Sequence, residues 1–125
     1  MANPNIVNVA AIYGNSSQTS LSTTSATQLV NNAAASGKVF KINSIVVANV
    51  DGTTAADITI NIYSAAALGG TAFPIASTIS VPADATLIVT DKTTSFYLLE
   101  NQSIGATAGT AGDLVVTASW EEINS

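Results

Sequence analysis

Residues 57–63 of the chain read Asp-Ile-Thr-Ile-Asn-Ile-Tyr, an alternation of polar and apolar side chains with a period of two. Successive side chains of an extended strand point to opposite faces. The three isoleucines therefore share one face, and the polar residues share the other face with Tyr63. This pattern predicts a half-buried antiparallel strand that turns its isoleucines toward a core.

Two further stretches have the same character. Residues 113–121 place Leu114, Val116, Ala118 and Trp120 on one face, which we expect to point inward. Residues 38–49 alternate cleanly at first and less cleanly after position 44, which predicts a β-bulge or burial on both faces. The Asp51-Gly52 pair then predicts a turn that joins residues 38–49 to residues 57–63 as a hairpin.

The rest of the chain divides into short apolar runs separated by turn residues. We expect these further strands within residues 5–13, 18–30, 73–81, 86–90, 96–100 and 102–107. The alanine-rich segments 33–35 and 64–68 are too short for more than one turn of helix. About eight or nine short strands predict an all-β fold, a single antiparallel β-sandwich over residues 1–125, with jelly-roll or immunoglobulin-like topology.

The composition argues against catalysis. The chain has no His, Cys or Arg, and its cations are Lys38, Lys41 and Lys92. Acid–base catalysis near neutral pH depends most often on His, and a nucleophilic Ser needs an activating partner that no Gly-x-Ser-x-Gly or Ser-x-x-Lys pattern supplies. We therefore expect a binding or structural protein without catalytic residues, cofactor or small-molecule substrate.

Charge and hydropathy restrict the possible partners. The net charge is −5, which disfavours binding to nucleic acid or to an anionic membrane. No apolar run approaches the roughly 18 to 20 residues of a membrane span. The first residues have neither the cationic nor the apolar region of a secretory signal peptide. We expect neither a nucleic-acid nor a membrane partner.

The acidic residues are the only candidates for a metal or catalytic site. Five aspartates stand at predicted turns or strand ends, where they could bind Ca²⁺ or, more simply, cap their own turns: Asp51, Asp57, Asp84, Asp91 and Asp113. No EF-hand spacing is present, so the turn role is favoured and no metal site is predicted. Neighbouring Glu121 and Glu122 should point to opposite faces of a strand and cannot share a substrate.

Two groups of residues are candidates for contact with a partner. Five aromatic residues, Tyr13, Tyr63, Phe73, Tyr97 and Trp120, could form a stacking platform for sugars or bases, although core packing is favoured. Residues 1–6 are expected to form an extended arm, because Pro4 disfavours helix at Asn3. Such an arm could add to the sheet edge of a neighbour. The predicted partner contacts are Asn3, Pro4, Asn5, Ile6, Tyr63 and Phe73.

The chain also resembles a known group of proteins. The segments that carry the resemblance are ANPNIVNV (residues 2–9), SGKVFKINSI (36–45), VDGT (50–53), VPADATLIV (81–89), ENQSI (100–104) and SWEEI (119–123). Together they resemble small virion structural proteins of tailed phages that infect marine bacteria, including cyanophages. The resemblance spans nearly the whole chain, and its motifs are strand and turn pieces that carry no chemistry.

The resemblance implies a component of the phage particle that is made and assembled in the host cytoplasm. The leading hypothesis is a capsid decoration (cement) protein on the outer capsid surface, with the major capsid protein and copies of itself, as a trimer, for partners. A neck, tail or baseplate accessory protein is the first alternative. A carbohydrate-binding module for host attachment is the second.

Overall fold

The structure, a computed structural model, describes residues 4–124 and is built almost entirely from β-strands. In chain order the strands are β1 (Ala11–Ser20), β2 (Thr27–Asn32), β3 (Lys38–Asn49), β4 (Ala56–Ala65), β5 (Gly69–Val81), β6 (Thr86–Thr90), β7 (Phe96–Leu98), β8 (Gln102–Ala108) and β9 (Leu114–Asn124). A single turn of 3₁₀ helix, Lys92–Thr94, lies between β6 and β7.

The strands form two antiparallel sheets packed face to face. The first sheet has the order β1-β9-β3-β6, and β7 pairs with the same edge of β3 as β6. The second sheet has the order β2-β8-β4-β5. The prediction of a single-domain, all-β sandwich of about eight or nine strands is confirmed, with nine strands in residues 4–124.

The pairing identifies the topology as a jelly roll. Strands β1, β2, β3 and β4 pair in turn with β9, β8, β6/β7 and β5, as if one long hairpin had been wrapped into a sandwich. The pairs β3–β9 and β4–β8 then complete the two sheets. Of the two predicted topologies, the structure has the jelly roll.

The hairpin predicted across Asp51-Gly52 is wrong. Strand β3 belongs to the first sheet and β4 to the second, so the connection crosses from one sheet to the other. At the end of β3 the Asn49 side-chain amide donates hydrogen bonds to the backbone oxygens of Thr54, at 3.0 Å, and Val81, at 2.9 Å. These bonds hold the crossing connection against the second sheet.

The core consists of the inward faces predicted from the alternation. Ile58 and Ile60 of β4 are fully buried, as are Leu114, Val116 and Ala118 of β9. Trp120 is half-buried and packs against the same cluster.

A β-bulge explains the blurred alternation in β3. The pairing with β9 shifts between Ile42 and Ser44, so Asn43 is an extra residue in the ladder. Core residues consequently fall at even positions before the bulge, as at Phe40 and Ile42, and at odd positions after it, as at Ile45 and Val47. Val39 is buried too, but it lies outside the core cluster, in the cleft with Pro4. Of the two predicted explanations, a bulge or burial on both faces, the structure shows the bulge.

The strand boundaries near the N-terminus differ from the prediction. The first strand covers residues 11–20 rather than 5–13, and the second begins at Thr27 rather than at residue 18. β1 is an edge strand whose side chains are exposed or half-buried, so its Ser- and Thr-rich sequence carries no apolar alternation. Its ladder with β9 defines it instead.

Candidate interaction surfaces

Strand β5 carries three exposed large apolar side chains. Phe73 is 57% exposed, and Ile75 and Ile79 are each 39% exposed. We call these three residues the β5 surface. Strand β5 has 13 residues, whereas β6, at the neighbouring edge of the first sheet, has five. Most of β5 therefore extends past the strand that could cover it, and only Ala76 and Val81 are buried.

Strand β5 itself is uncharged. The sequence contains no acidic or basic residue between Asp57 and Asp84. Phe73 was predicted as a contact residue, and its exposure is compatible with that role. Ile75 and Ile79 were missed, although Pro74 within the same run is a recognisable sign of an edge strand.

The backbone edge of β5 is poorly suited to adding another strand. Its pairing with β4 shifts register three times, and Pro74 has no N–H to donate. Thr78 has a φ of 49°, and its backbone N–H donates to Thr59 Oγ1 at 3.0 Å. Bulges and proline are common protections of an exposed strand edge. A partner at β5 would thus bind its side chains rather than extend its sheet.

The N-terminal segment folds back onto its own sandwich. Pro4 is buried in an open apolar cleft of about 220 Å³ that it forms with Ile6, Val39, Tyr97 and Leu99. A turn begins at Asn5, whose side-chain oxygen accepts from the Val7 N–H at 3.0 Å. The extended arm predicted for residues 1–6 is therefore absent over residues 4–6; Asn3 lies outside the described residues. Asn5 and Ile6 are exposed, and their contact with a partner stays a prediction.

Tyr63 was predicted to face outward as a contact residue, and the structure buries it. Its exposure is only 9%, because the β4–β5 turn folds over the outer face of the second sheet. Tyr63 and Leu68 lie against Gly105, where an added Cβ would approach them within 3.0 and 2.8 Å. Ser103 Oγ fixes the turn by accepting from the Leu68 N–H at 2.9 Å and donating to the Ala65 oxygen at 2.8 Å. The Tyr63 side chain is thus part of the fold.

Trp120 is also turned inward. Its ring stacks on Phe40 with centroids 6.2 Å apart and an interplanar angle of 26°. The stacking platform considered for sugars therefore lacks both Trp120 and Tyr63. Of the other candidates, Tyr13, Phe73 and Tyr97 remain exposed, on three different strands.

Two of the aspartates considered as cation ligands, Asp51 and Asp91, act in turns. Asp51 accepts from the Thr53 N–H, the Thr53 hydroxyl and the Thr54 hydroxyl, each at 2.8 Å, and these bonds, led by that from the Thr53 N–H, lower its pKa to about 2. Asp91 caps the 3₁₀ turn, where the Thr93 hydroxyl and N–H lower its pKa. Within residues 4–124, no three acidic side chains gather closely enough to hold a metal ion.

Glu121 and Glu122 lie on opposite faces, as predicted. Glu121 stands across from Lys41 in the β3–β9 ladder. Glu122 forms an ion pair with Lys38 and accepts from Asn15 Nδ2 at 3.1 Å. The two carboxylates serve separate contacts within the first sheet.

Comparisons with known proteins give similarities of fold only. No family model matches the chain, and no curated protein matches it. One similar solved structure is a chain of the Bacillus endospore appendages, described as a novel family of disulfide-linked pili. It has 18% identity and a TM-score of 0.49, and the match covers 91% of this chain and 89% of that one. A second, from infectious bursal disease virus strain Gx, has 15% identity and a TM-score of 0.42, and the match covers 93% of this chain and 31% of that one.

None of the helical segments in residues 4–124 has the length and apolar character that crossing a bilayer requires.

Proposed function

We propose that this chain is a non-enzymatic structural protein of a phage particle, and specifically a capsid decoration protein. The observation that carries the proposal is the β5 surface, where Phe73, Ile75 and Ile79 are exposed on a stretch without charge. An apolar patch at a protein surface is typical of a site that a partner covers, and we propose that these three side chains form one. The resemblance to virion proteins and the lack of His, Cys and Arg support the same role.

The partners in this proposal are the major capsid protein and other copies of the chain. A protein that binds only the assembled lattice stabilises it by mass action, because disassembly must first release the bound protein. Many equivalent weak contacts add through avidity. The β5 surface would insert Phe73 into an apolar recess on the outside of the capsid, and a trimer would suit its three-fold positions.

The proposal is tested by binding of variants to particles. Phe73→Ser should reduce co-sedimentation with capsids at least tenfold, because it removes the largest exposed side chain of the β5 surface. Ile88→Ser is the matched control, since Ile88 is 61% exposed on neighbouring β6 but lies outside the β5 surface. Equal binding by F73S and the wild-type chain would contradict the assignment of this surface.

The place in the particle needs a separate measurement. Cryo-electron microscopy of virions should show the chain over the whole outer capsid, and quantitative mass spectrometry should count hundreds of copies per particle. Density confined to the neck or tail, together with a copy number that fits a single ring of about a dozen chains or fewer, would overturn the decoration role.

A further inference from the structure

The free edge of the first sheet is formed by β1, and its backbone is regular. Ten consecutive residues, Ala11–Ser20, pair with β9 without a shift in register. Leu21, next in the chain, donates to the Leu114 oxygen at 2.9 Å and continues the same ladder. Because hydrogen-bonded pairs alternate in antiparallel strands, the odd-numbered residues of β1 bond to β9. The even-numbered residues direct their N–H and C=O groups to the free edge.

Side-chain exposure follows the same alternation except at Tyr13, which is odd-numbered and 56% exposed. All five even-numbered residues are exposed: Ile12, Gly14, Ser16, Gln18 and Ser20. The N–H and C=O groups of Gly14, Ser16 and Gln18 point away from β9. In the part of the chain that the structure describes, no turn or loop segment forms a hydrogen bond with them. From Gly14 to Gln18 the edge is therefore an open row of donors and acceptors about 14 Å long, at about 3.4 Å per residue.

The other described sheet edges are protected and β1 is not. β5 has register shifts and Pro74, and β2 has six residues and a shift after Gln28. β6 and β7 are short and are separated by the 3₁₀ turn that carries Lys92. Bulges, proline, charge and short length are the means by which proteins prevent pairing at an edge. None of them is present in β1.

The charges near β1 cancel. The strand itself is uncharged, and the first charged residue in the sequence is Lys38. Next to β1, Glu122 is ion-paired with Lys38, and Glu121 stands across from Lys41. These two glutamates and two lysines together carry no net charge, so the net charge of −5 comes from the other charged residues. A second copy can approach this edge without the repulsion that an acidic protein otherwise imposes.

We propose that β1 pairs with β1 of a second copy in antiparallel orientation across a two-fold axis. An isologous contact needs the same strand on both sides, and even-numbered residues must meet even-numbered residues. The register that uses the whole edge places Ser16 opposite Ser16 of the partner subunit. The two first sheets then form one continuous sheet. This pairing rests on the proposed function, which includes binding between copies of the chain, and it identifies β1 as the surface that they use. The proposed trimer would need a second contact elsewhere.

A cysteine crosslink tests the register. The chain has no cysteine, so Ser16→Cys introduces a single thiol. In a hydrogen-bonded pair the Cα atoms are about 5.5 Å apart, within the roughly 4.4 to 6.8 Å that a disulfide spans. Mild oxidation should convert S16C to a covalent dimer. Thr71→Cys, exposed on β5, is the matched control and should remain monomeric under denaturing electrophoresis. Equal crosslinking of both variants would overturn the register.

A charge exchange tests the pairing without a covalent bond. The wild-type chain should sediment as a dimer, whereas Ser16→Lys and Ser16→Glu should each sediment as monomers, because like charges meet at the axis. Mixing the two variants in equal amounts should restore the dimer. Thermal unfolding should show both variants folded, since the Ser16 side chain is exposed and its backbone does not bond to β9. A monomeric wild-type chain, or dimers of S16K alone, would overturn the pairing.

Particle binding separates this inference from the proposed function. A wild-type chain that co-sediments with capsids but never dimerises contradicts the β1 pairing alone. A dimeric wild-type chain that fails to bind capsids contradicts the decoration role and leaves the pairing intact.

Discussion

Asn32 and Asn49 connect the two sheets at opposite ends of the sandwich, each through hydrogen bonds from its side-chain amide. Each places its side-chain amide between two backbone oxygens, and each is almost fully buried. Asn32, on β2 of the second sheet, donates to the oxygens of Lys38, at 3.0 Å, and Leu98, at 3.2 Å, both on the first sheet. Asn49, on β3 of the first sheet, makes the corresponding bond to Val81 of the second. Strand ladders join strands only within a sheet, so these two amides supply hydrogen bonds between the sheets.

Replacing either asparagine should destabilise the fold. Asn49→Ala leaves the buried Val81 oxygen without its donor, which should lower the free energy of unfolding by about 1 to 3 kcal/mol. Urea denaturation should show a lower midpoint with an unchanged slope. Asn8→Ala, at an exposed position, is the control and should change stability by less than about 0.5 kcal/mol. Equal midpoints for N49A and N8A would refute the role of the amide.

A methyl group at position 105 should disturb the β4–β5 turn. Gly105→Ala would bring Cβ within 2.8 Å of Leu68 and 3.0 Å of Tyr63, so both side chains must move. We expect a loss of about 1 to 3 kcal/mol in the free energy of unfolding, measured by denaturant titration. Gly14→Ala is the control, because no atom lies within 4 Å of its added Cβ. It should be neutral or stabilising by up to about 1 kcal/mol, and a similar result for G105A would show that the turn is loosely packed.

Stability should depend on Asp51 in acid. Its pKa falls from 3.8 to about 2 on folding, so its ionised form favours the folded state. That contribution is complete above about pH 4 and is lost as the pH falls toward 2. The difference in urea midpoint between wild type and Asp51→Ala should thus be largest near neutral pH and shrink as the pH falls through about 2. A difference that stays constant over this range would contradict the assignment.

Two neighbouring isoleucines should differ sharply in their contribution. Ile45 on β3 is fully buried, whereas Ile88 on the adjacent β6 is exposed. Ile45→Ala should cost about 2 to 5 kcal/mol, because it leaves a cavity in the core. Ile88→Ala should cost less than about 0.5 kcal/mol by the same calorimetric or denaturant measurement. Comparable losses would mean that the burial of these strands is misassigned.

Residue alternation was enough to predict the class of fold and the inward faces of β4 and β9. It identified Ile58 and Ile60, and likewise Leu114 and Val116, because each set follows a period of two without interruption. The bulge at Asn43 was also foreseeable, since one extra residue shifts the alternation that follows it.

The features that sequence alone missed depend on long-range contacts. An Asp-Gly turn looks the same whether the next strand joins the same sheet or crosses to the other, and Asn49 decides this through Val81. Tyr63 does lie on the outer face of its strand, but a turn held by Ser103 covers it. Among the candidate contact residues, Phe73 is exposed because β6 is short, which its own sequence does not reveal.

The pairing of β1 with β9 sets the direction in which the fold is mechanically weak. Ala11, at the start of β1, stands opposite Asn124, at the end of β9. A force that pulls these two residues apart loads the ladder one hydrogen bond at a time, like a zipper, whereas a force along the strands would load the bonds together. Tension between residues 11 and 124 should therefore peel β1 away at low force, and a load spread across the faces of the sandwich should leave it closed.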